Sequence, residues 1–142
     1  MKLISQHPTE SLCISVCFDT VSGDLLLGCT NGIKILKKGR YEVREETHHN
    51  RAQVAVHKGD VFITENKDGK LINVMSYNRE NREDEMLFSF PMKPPSFAVY
   101  ISASDEYVAC IDRDTKPETL KLNIRREKTV QTLHLPRLTL YI

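Results

Sequence analysis

Neither sign of charge is in excess in this sequence. Lys plus Arg number 20 and Asp plus Glu 19, a formal net charge of +1. That balance gives no global steering toward nucleic acid or acidic membranes. Long apolar runs are missing too, and none approaches the ~20 residues a helix needs to cross a bilayer. The opening Met1-Lys2-Leu3-Ile4-Ser5-Gln6-His7-Pro8 has one Lys and no apolar stretch after it, so it does not read as a signal peptide. The expected setting is cytoplasmic, with no membrane partner. The four cysteines, Cys13, Cys17, Cys29 and Cys110, include no C-x-x-C pair. Small buried reduced thiols are expected, not a disulfide framework or a metal cluster.

The motifs of common chemistries are absent as well. Neither G-x-x-x-x-G-K-S/T nor G-x-G-x-x-G occurs. Ser15 and Ser102 lie in no G-x-S-x-G elbow. Asp112-Arg113-Asp114 lacks the Gly and the distal Glu of an EF-hand loop. His48 and His49 are adjacent, but a metal would need two or three further converging ligands. His57 falls at a strand end and His7 and His134 near the termini. The expectation is a non-enzymatic chain with no cofactor and no metal.

What is present is all-β punctuation. Short runs of Val, Ile, Leu, Phe and Tyr are broken by turn signals every 8 to 12 residues. They include Ser22-Gly23-Asp24, Asn31-Gly32, Lys38-Gly39, Lys58-Gly59-Asp60, Asp68-Gly69 and Lys116-Pro117. Asn31-Gly32 and Asp68-Gly69 predict tight hairpins with positive φ at both turn positions. No long stripe of period 3.6 marks a helix. The Gly-Asp pairs at 23–24 and 59–60 recur after 36 residues, and a third copy has its second strand near Glu106. The excess length of copy two is assigned to an insertion, the polar stretch Asn78–Glu85. Four strands are expected per copy: 12–18, 24–30, 33–37 and 40–45; then 53–57, 60–65, 70–77 and 85–90; then 97–102, 106–112, 118–125 and 129–135. Four short antiparallel strands per repeat of about 40 residues is the blade of a β-propeller. One domain over 1–142 is expected, with blades at 11–46, 52–91 and 96–136 and terminal strands at 1–6 and 137–142. Ile14, Val16, Phe18, Val54, Val56, Phe97, Val99 and Ile101 on the first strands are expected to be buried between blades.

The residues V-x-F-D-x-x-S-G-D-L-L-L-G-x-T-N-G-I-K-I-L at 16–36 resemble an NHL-type propeller blade. Copy two matches through Gly59-Asp60-Val61-Phe62-Ile63-Thr64 and Leu71-Ile72-Asn73-Val74, and copy three by pattern. The Asn-His-Arg triplet of that family's second turn is absent. So is tryptophan, and with it the Trp-Asp ending of WD repeats. The resemblance implies a WD-repeat-like binding scaffold with a protein or peptide partner. RNA binding on the same face is the alternative. A channel-metal enzyme of the lactonase or lyase type is a third class. It would need polar ligands in the channel, where the inner strands offer mainly Ser15, Cys17, Ala55, His57, Ala98 and Tyr100.

In a propeller, the loops joining blades and those joining strands two and three share one face. His48, His49, Asn50, Arg51, Lys67, Lys93, Arg113 and Lys116 fall there and are the candidate partner-binding residues. Three blades do not close a ring. The core side of copy one (Cys13, Leu25, Leu27, Ile35) and that of copy three (Tyr107, Ala109, Leu120, Leu122) would be left bare. A homodimer completing six blades is expected, with Leu3, Ile4, Leu138, Leu140, Tyr141 and Ile142 at the dimer interface.

Overall fold

The computed structural model describes residues 11–91, 99–112 and 119–134. These form three four-stranded antiparallel sheets and no helix. Sheet 1 is β1 (Cys13–Phe18), β2 (Leu25–Cys29), β3 (Gly32–Leu36) and β4 (Val43–Glu45). Sheet 2 is β5 (Gln53–His57), β6 (Asp60–Lys67), β7 (Leu71–Asn78) and β8 (Glu83–Pro91). Sheet 3 is β9 (Val99–Ala103), β10 (Tyr107–Asp112), β11 (Thr119–Ile124) and β12 (Thr129–His134). Within each sheet, spatial order follows chain order, so that consecutive strands pair antiparallel. β5 packs beside β1 on one side and β9 on the other, so the first strands form an inner row. Leu3, Ile4, Phe97, Leu138, Leu140, Tyr141 and Ile142, and the proposed terminal strands, lie outside the described residues, as does the Val99 side chain.

Sheet 2 sits in the middle, and its sequence shows why. Successive side chains of a strand point to opposite faces. In β6, Val61 and Ile63 face one way, with Val54 opposite Ile63 and Tyr77 opposite Val61. They pack with Leu26, Ile33 and Ile35 of sheet 1. Phe62 faces the other way and joins Ile72, Val74, Phe90, Val108 and Cys110 in a second core against sheet 3. A strand buried on both faces must be apolar at consecutive positions, as Val61-Phe62-Ile63 is.

Sheets 1 and 3 carry the same two-sided apolar pattern, but one face of each is uncovered. In sheet 1, Leu26 and Cys17 turn toward sheet 2, while Leu25, Leu27, Val16 and Phe18 turn away. Val16 is 62% exposed and Phe18 66%. The expectation that Ile14, Val16 and Phe18 are buried between blades is therefore corrected: β1 belongs to the first described sheet, and no described sheet lies on that side. Ile35 is corrected in the opposite sense, since pairing with Leu26 turns it into the core. Val54 is buried and Val56 and Ile101 partly buried, as expected. On sheet 3, Tyr107, Ala109, Leu120 and Leu122 share the outer face.

Three local expectations also change. Copy two has no inserted loop at Asn78–Glu85. Its extra length is in the strands, with β6 and β7 of 8 residues and β8 of 9, leaving a short turn at 79–82. Asp68 and Gly69 both have positive φ, 56° and 68°, but at the other hairpin Gly32 alone does, at 139°. A Cβ on Gly32 would collide with the Thr47 carbonyl oxygen, so glycine is required there by close approach of the β4–β5 loop. None of the four cysteines forms a disulfide, and Cys29 and Cys110 are buried, but Cys13 is exposed. A bulge between Cys13 and Ser15 breaks the alternation that would have put Cys13 with Cys17. Cys13 Sγ lies 2.8 Å from Cys29 Sγ. Burial, then the Cys13 thiol, pushes the Cys29 thiol up to about 11, and burial pushes Cys110 up to about 12. Both remain protonated at neutral pH.

Candidate functional site

Antiparallel order puts the β2–β3, β4–β5 and β6–β7 loops at one end of the stack and the β1–β2, β3–β4, β5–β6, β7–β8, β9–β10 and β11–β12 turns at the other. The β4–β5 loop holds four of the candidate residues. The His49 ring is buried, with Nδ1 2.7 Å from Thr47 Oγ1 and Nε2 2.7 Å from Asp84 Oδ2 on β8. It meets the Tyr77 ring edge-on at 6.4 Å. The order hydroxyl, imidazole, carboxylate has the form of a nucleophile relay. Here the Thr47 hydroxyl is buried and accepts the Ile33 N–H at 3.1 Å, so its hydrogen bonds are spent on holding the loop. His49 is therefore a locking residue between sheets 1 and 2 and is not presented on the loop surface. Adjacent Tyr77 donates its hydroxyl to Glu46 at 3.2 Å. Burial, then the Glu46 carboxylate, pushes that phenol up to about 12.

His48, Asn50 and Arg51 are exposed on the same loop. The Asn50 amide donates to the Asn66 carbonyl at 2.9 Å, and Asn66 N–H returns a bond to the Asn50 carbonyl. The Arg51 backbone, at φ 48°, donates to the Thr30 carbonyl. Lys67 is exposed at the end of β6. The structure thus brings His48, Asn50 and Arg51, on a loop tied to both neighbouring sheets, to the same end as Lys67. Lys93, Arg113 and Lys116 lie outside the described residues.

The opposite end carries a cleft of about 990 Å³ and a network that the sequence reading missed. Arg79, in the β7–β8 turn, reaches across to sheet 1. Its Nη2 is 2.9 Å from Asp24 Oδ2 and its Nη1 3.5 Å from Asp19 Oδ2. Asp19 also accepts the Val21 N–H and the Ser22 hydroxyl, which shapes the β1–β2 turn. Burial alone would raise the Asp24 carboxyl. The Lys38 N–H and the Arg79 guanidinium outweigh it and hold the group below its ordinary value. Arg125 repeats the arrangement one sheet on, with Nη2 2.7 Å from Asp60 Oδ2 and its guanidinium 5.0 Å over the Phe62 ring. Asp105 of sheet 3 takes Lys58 Nζ at 2.9 Å and His57 Nε2 at 2.8 Å from sheet 2, and these bonds hold its carboxyl low. The available signal was positional. Each of the two arginines directly follows the third strand of its sheet, and each of Asp24 and Asp60 stands at the start of a second strand. Among the described residues no group of three metal-ligating side chains converges.

No protein family matches the sequence, and no curated protein does. A chain in the crystal structure of a nidogen/laminin complex is similar in fold, with a TM-score of 0.67 at 10% identity. The match covers 86% of the present chain but 48% of the other, so this chain spans about half the length of that neighbour. At that identity the likeness is one of fold. Three stacked four-stranded antiparallel sheets with a propeller-like neighbour make this a propeller-like, all-β chain.

Proposed function

We propose that this chain is a non-enzymatic binding module. It takes a protein or peptide partner on the loop end and works as a pair of chains. The observation that carries the first part is the rigidity of the β4–β5 loop. Hydrogen bonds from His49, Asn50 and the Arg51 backbone tie it to both flanking sheets. Exposed His48, Arg51 and Lys67 are therefore offered from a fixed platform, which lowers the entropy cost of binding. The fold neighbour comes from a protein–protein complex, which favours the same class of partner. Pairing is supported by the two bare apolar faces of sheets 1 and 3. The proposed compartment is the cytoplasm, where free thiols stay reduced.

The test is comparative capture from a cytoplasmic extract. The R51E/K67E chain should retain about a tenth or less of a protein held by the wild type. R126E, at the opposite end, should retain it in full. Equal loss in both variants would contradict a loop-end site. An RNA ligand is the outcome that would replace the protein reading. Filter binding of mixed RNA would then weaken steeply between 50 and 200 mM salt, as phosphate contacts require.

A further inference from the structure

Two of the ion pairs between adjacent sheets, Asp24–Arg79 and Asp60–Arg125, obey one positional rule. The acid stands at the start of the second strand of one sheet, and the cation directly follows the third strand of the next. Between sheets 1 and 2 the pair is Asp24, just before β2, with Arg79, just after β7. Between sheets 2 and 3 it is Asp60, the first residue of β6, with Arg125, just after β11. In both pairs the earlier sheet supplies the carboxylate and the later one the cation, whereas the contacts of Asp105 with Lys58 and His57, at the neighbouring turns of sheets 3 and 2, run the other way.

Applied to the ends of the stack, the rule leaves one half-pair at each. Sheet 3 carries the acid position as Glu106, just before β10. Sheet 1 carries the cation position as Lys37, just after β3. Both are exposed, and neither side chain has a partner among the described residues. The outer faces beside them are the bare apolar ones, with Val16 and Phe18 on sheet 1 and Tyr107 and Leu122 on sheet 3. The two leftover charges have opposite sign and stand at the positions that pair elsewhere in the stack.

We propose that sheet 3 docks on sheet 1 of a second copy of this chain, with Glu106 bonded to Lys37 of the partner subunit. A two-fold axis repeats the contact and gives a ring of sheets in the order 1-2-3-1-2-3. The surface is self-complementary in the sense a closed symmetric dimer needs. Each contact buries apolar area for affinity, and the charge pair sets which face meets which. Face-to-face pairing of sheet 1 with sheet 1 would instead set Lys37 against Lys37 of the partner subunit. This inference rests on the proposed pairing of chains and adds its polarity and its residues.

Sedimentation equilibrium at low salt on the full chain tests it, with circular dichroism confirming that each variant keeps its sheet content. K37E and E106K should each weaken the dimer about tenfold, because each places like charges at both contacts. The K37E/E106K double variant restores opposite charges within one chain type and should return to within about threefold of the wild type. A folded wild-type monomer would overturn the pairing of chains itself. A dimer indifferent to both single variants, or a double variant no better than the singles, would leave the pairing standing and overturn the Glu106–Lys37 contact.

Discussion

The R79M protein should unfold about 10 °C below the wild type, a loss of about 3 kcal/mol. Arg79 serves two carboxylates at once, and both are deeply placed. The side chains of Asp19 and Asp24 are 5% and 10% exposed. Methionine fills much of the same volume but leaves two desolvated charges without a cation. The matching R125M change should cost about 1 kcal/mol, because Asp60 is 58% exposed and water replaces the lost partner. The pH dependence follows from Asp24. Its carboxyl is held below 3.8 in the folded chain. The stability it contributes is thus present above 3.8 and lost as pH falls through the lower, folded value. Thermal melts of R79M and wild type should differ fully at pH 7 and converge as pH drops through the carboxylate range. A gap independent of pH, or equal costs for R79M and R125M, would show that Arg79 acts through packing instead of charge.

The G28V protein should lose about 3 kcal/mol or more, measured by urea unfolding. Gly28 lies on β2 facing sheet 2, where the backbones of the two sheets nearly touch. A Cβ there would sit 2.5 Å from the Ala52 carbonyl oxygen and 3.0 Å from Gln53 Cα, and would overlap the Ser15 hydroxyl. Two of these neighbours are backbone atoms and cannot turn aside. The sheets would have to separate, breaking the Ala52 N–H bond to the Cys29 carbonyl at 3.0 Å and the Val54 N–H bond to the Ser15 hydroxyl at 3.1 Å. Overpacking of that kind in a close-packed interior ordinarily costs 1–3 kcal/mol, and two inter-sheet hydrogen bonds add to it. A midpoint within 0.5 M urea of the wild type would mean that sheets 1 and 2 approach less closely than described.

Strand positions were legible because an alternating or doubly apolar run is a local property, and Asp68-Gly69 and Gly23-Asp24 mark turns by backbone chemistry alone. The blade-to-blade order was partly legible. The sequence of β6 says that both its faces are covered, but Val16 and Phe18 look the same as Val54 and Val56 until it is known which sheet is last. The extra residues of copy two were misplaced because a long strand with polar outer positions, such as Glu83-Asp84-Glu85, reads like a loop. The candidate loop residues were legible as types and positions. The burial of His49 was not, since it depends on Thr47 and Asp84, the latter 35 residues away. The Arg79 and Arg125 contacts were written in the repeat, but their meaning needs the neighbouring sheet, which no single repeat contains.

Photo-cross-linking from Phe18 tests the proposed pairing of chains most directly. This side chain is 66% exposed on the outer face of sheet 1, and benzoyl-phenylalanine replaces it with little change of shape. Irradiation of the purified chain should give an adduct of twice the 16.3 kDa chain mass. Its cross-linked peptides should map to β10 and β11 of the second copy. Cross-links confined to β1 and β2 of the second copy, or a product that stays at the mass of one chain, would contradict a ring closed by sheet 3 against sheet 1.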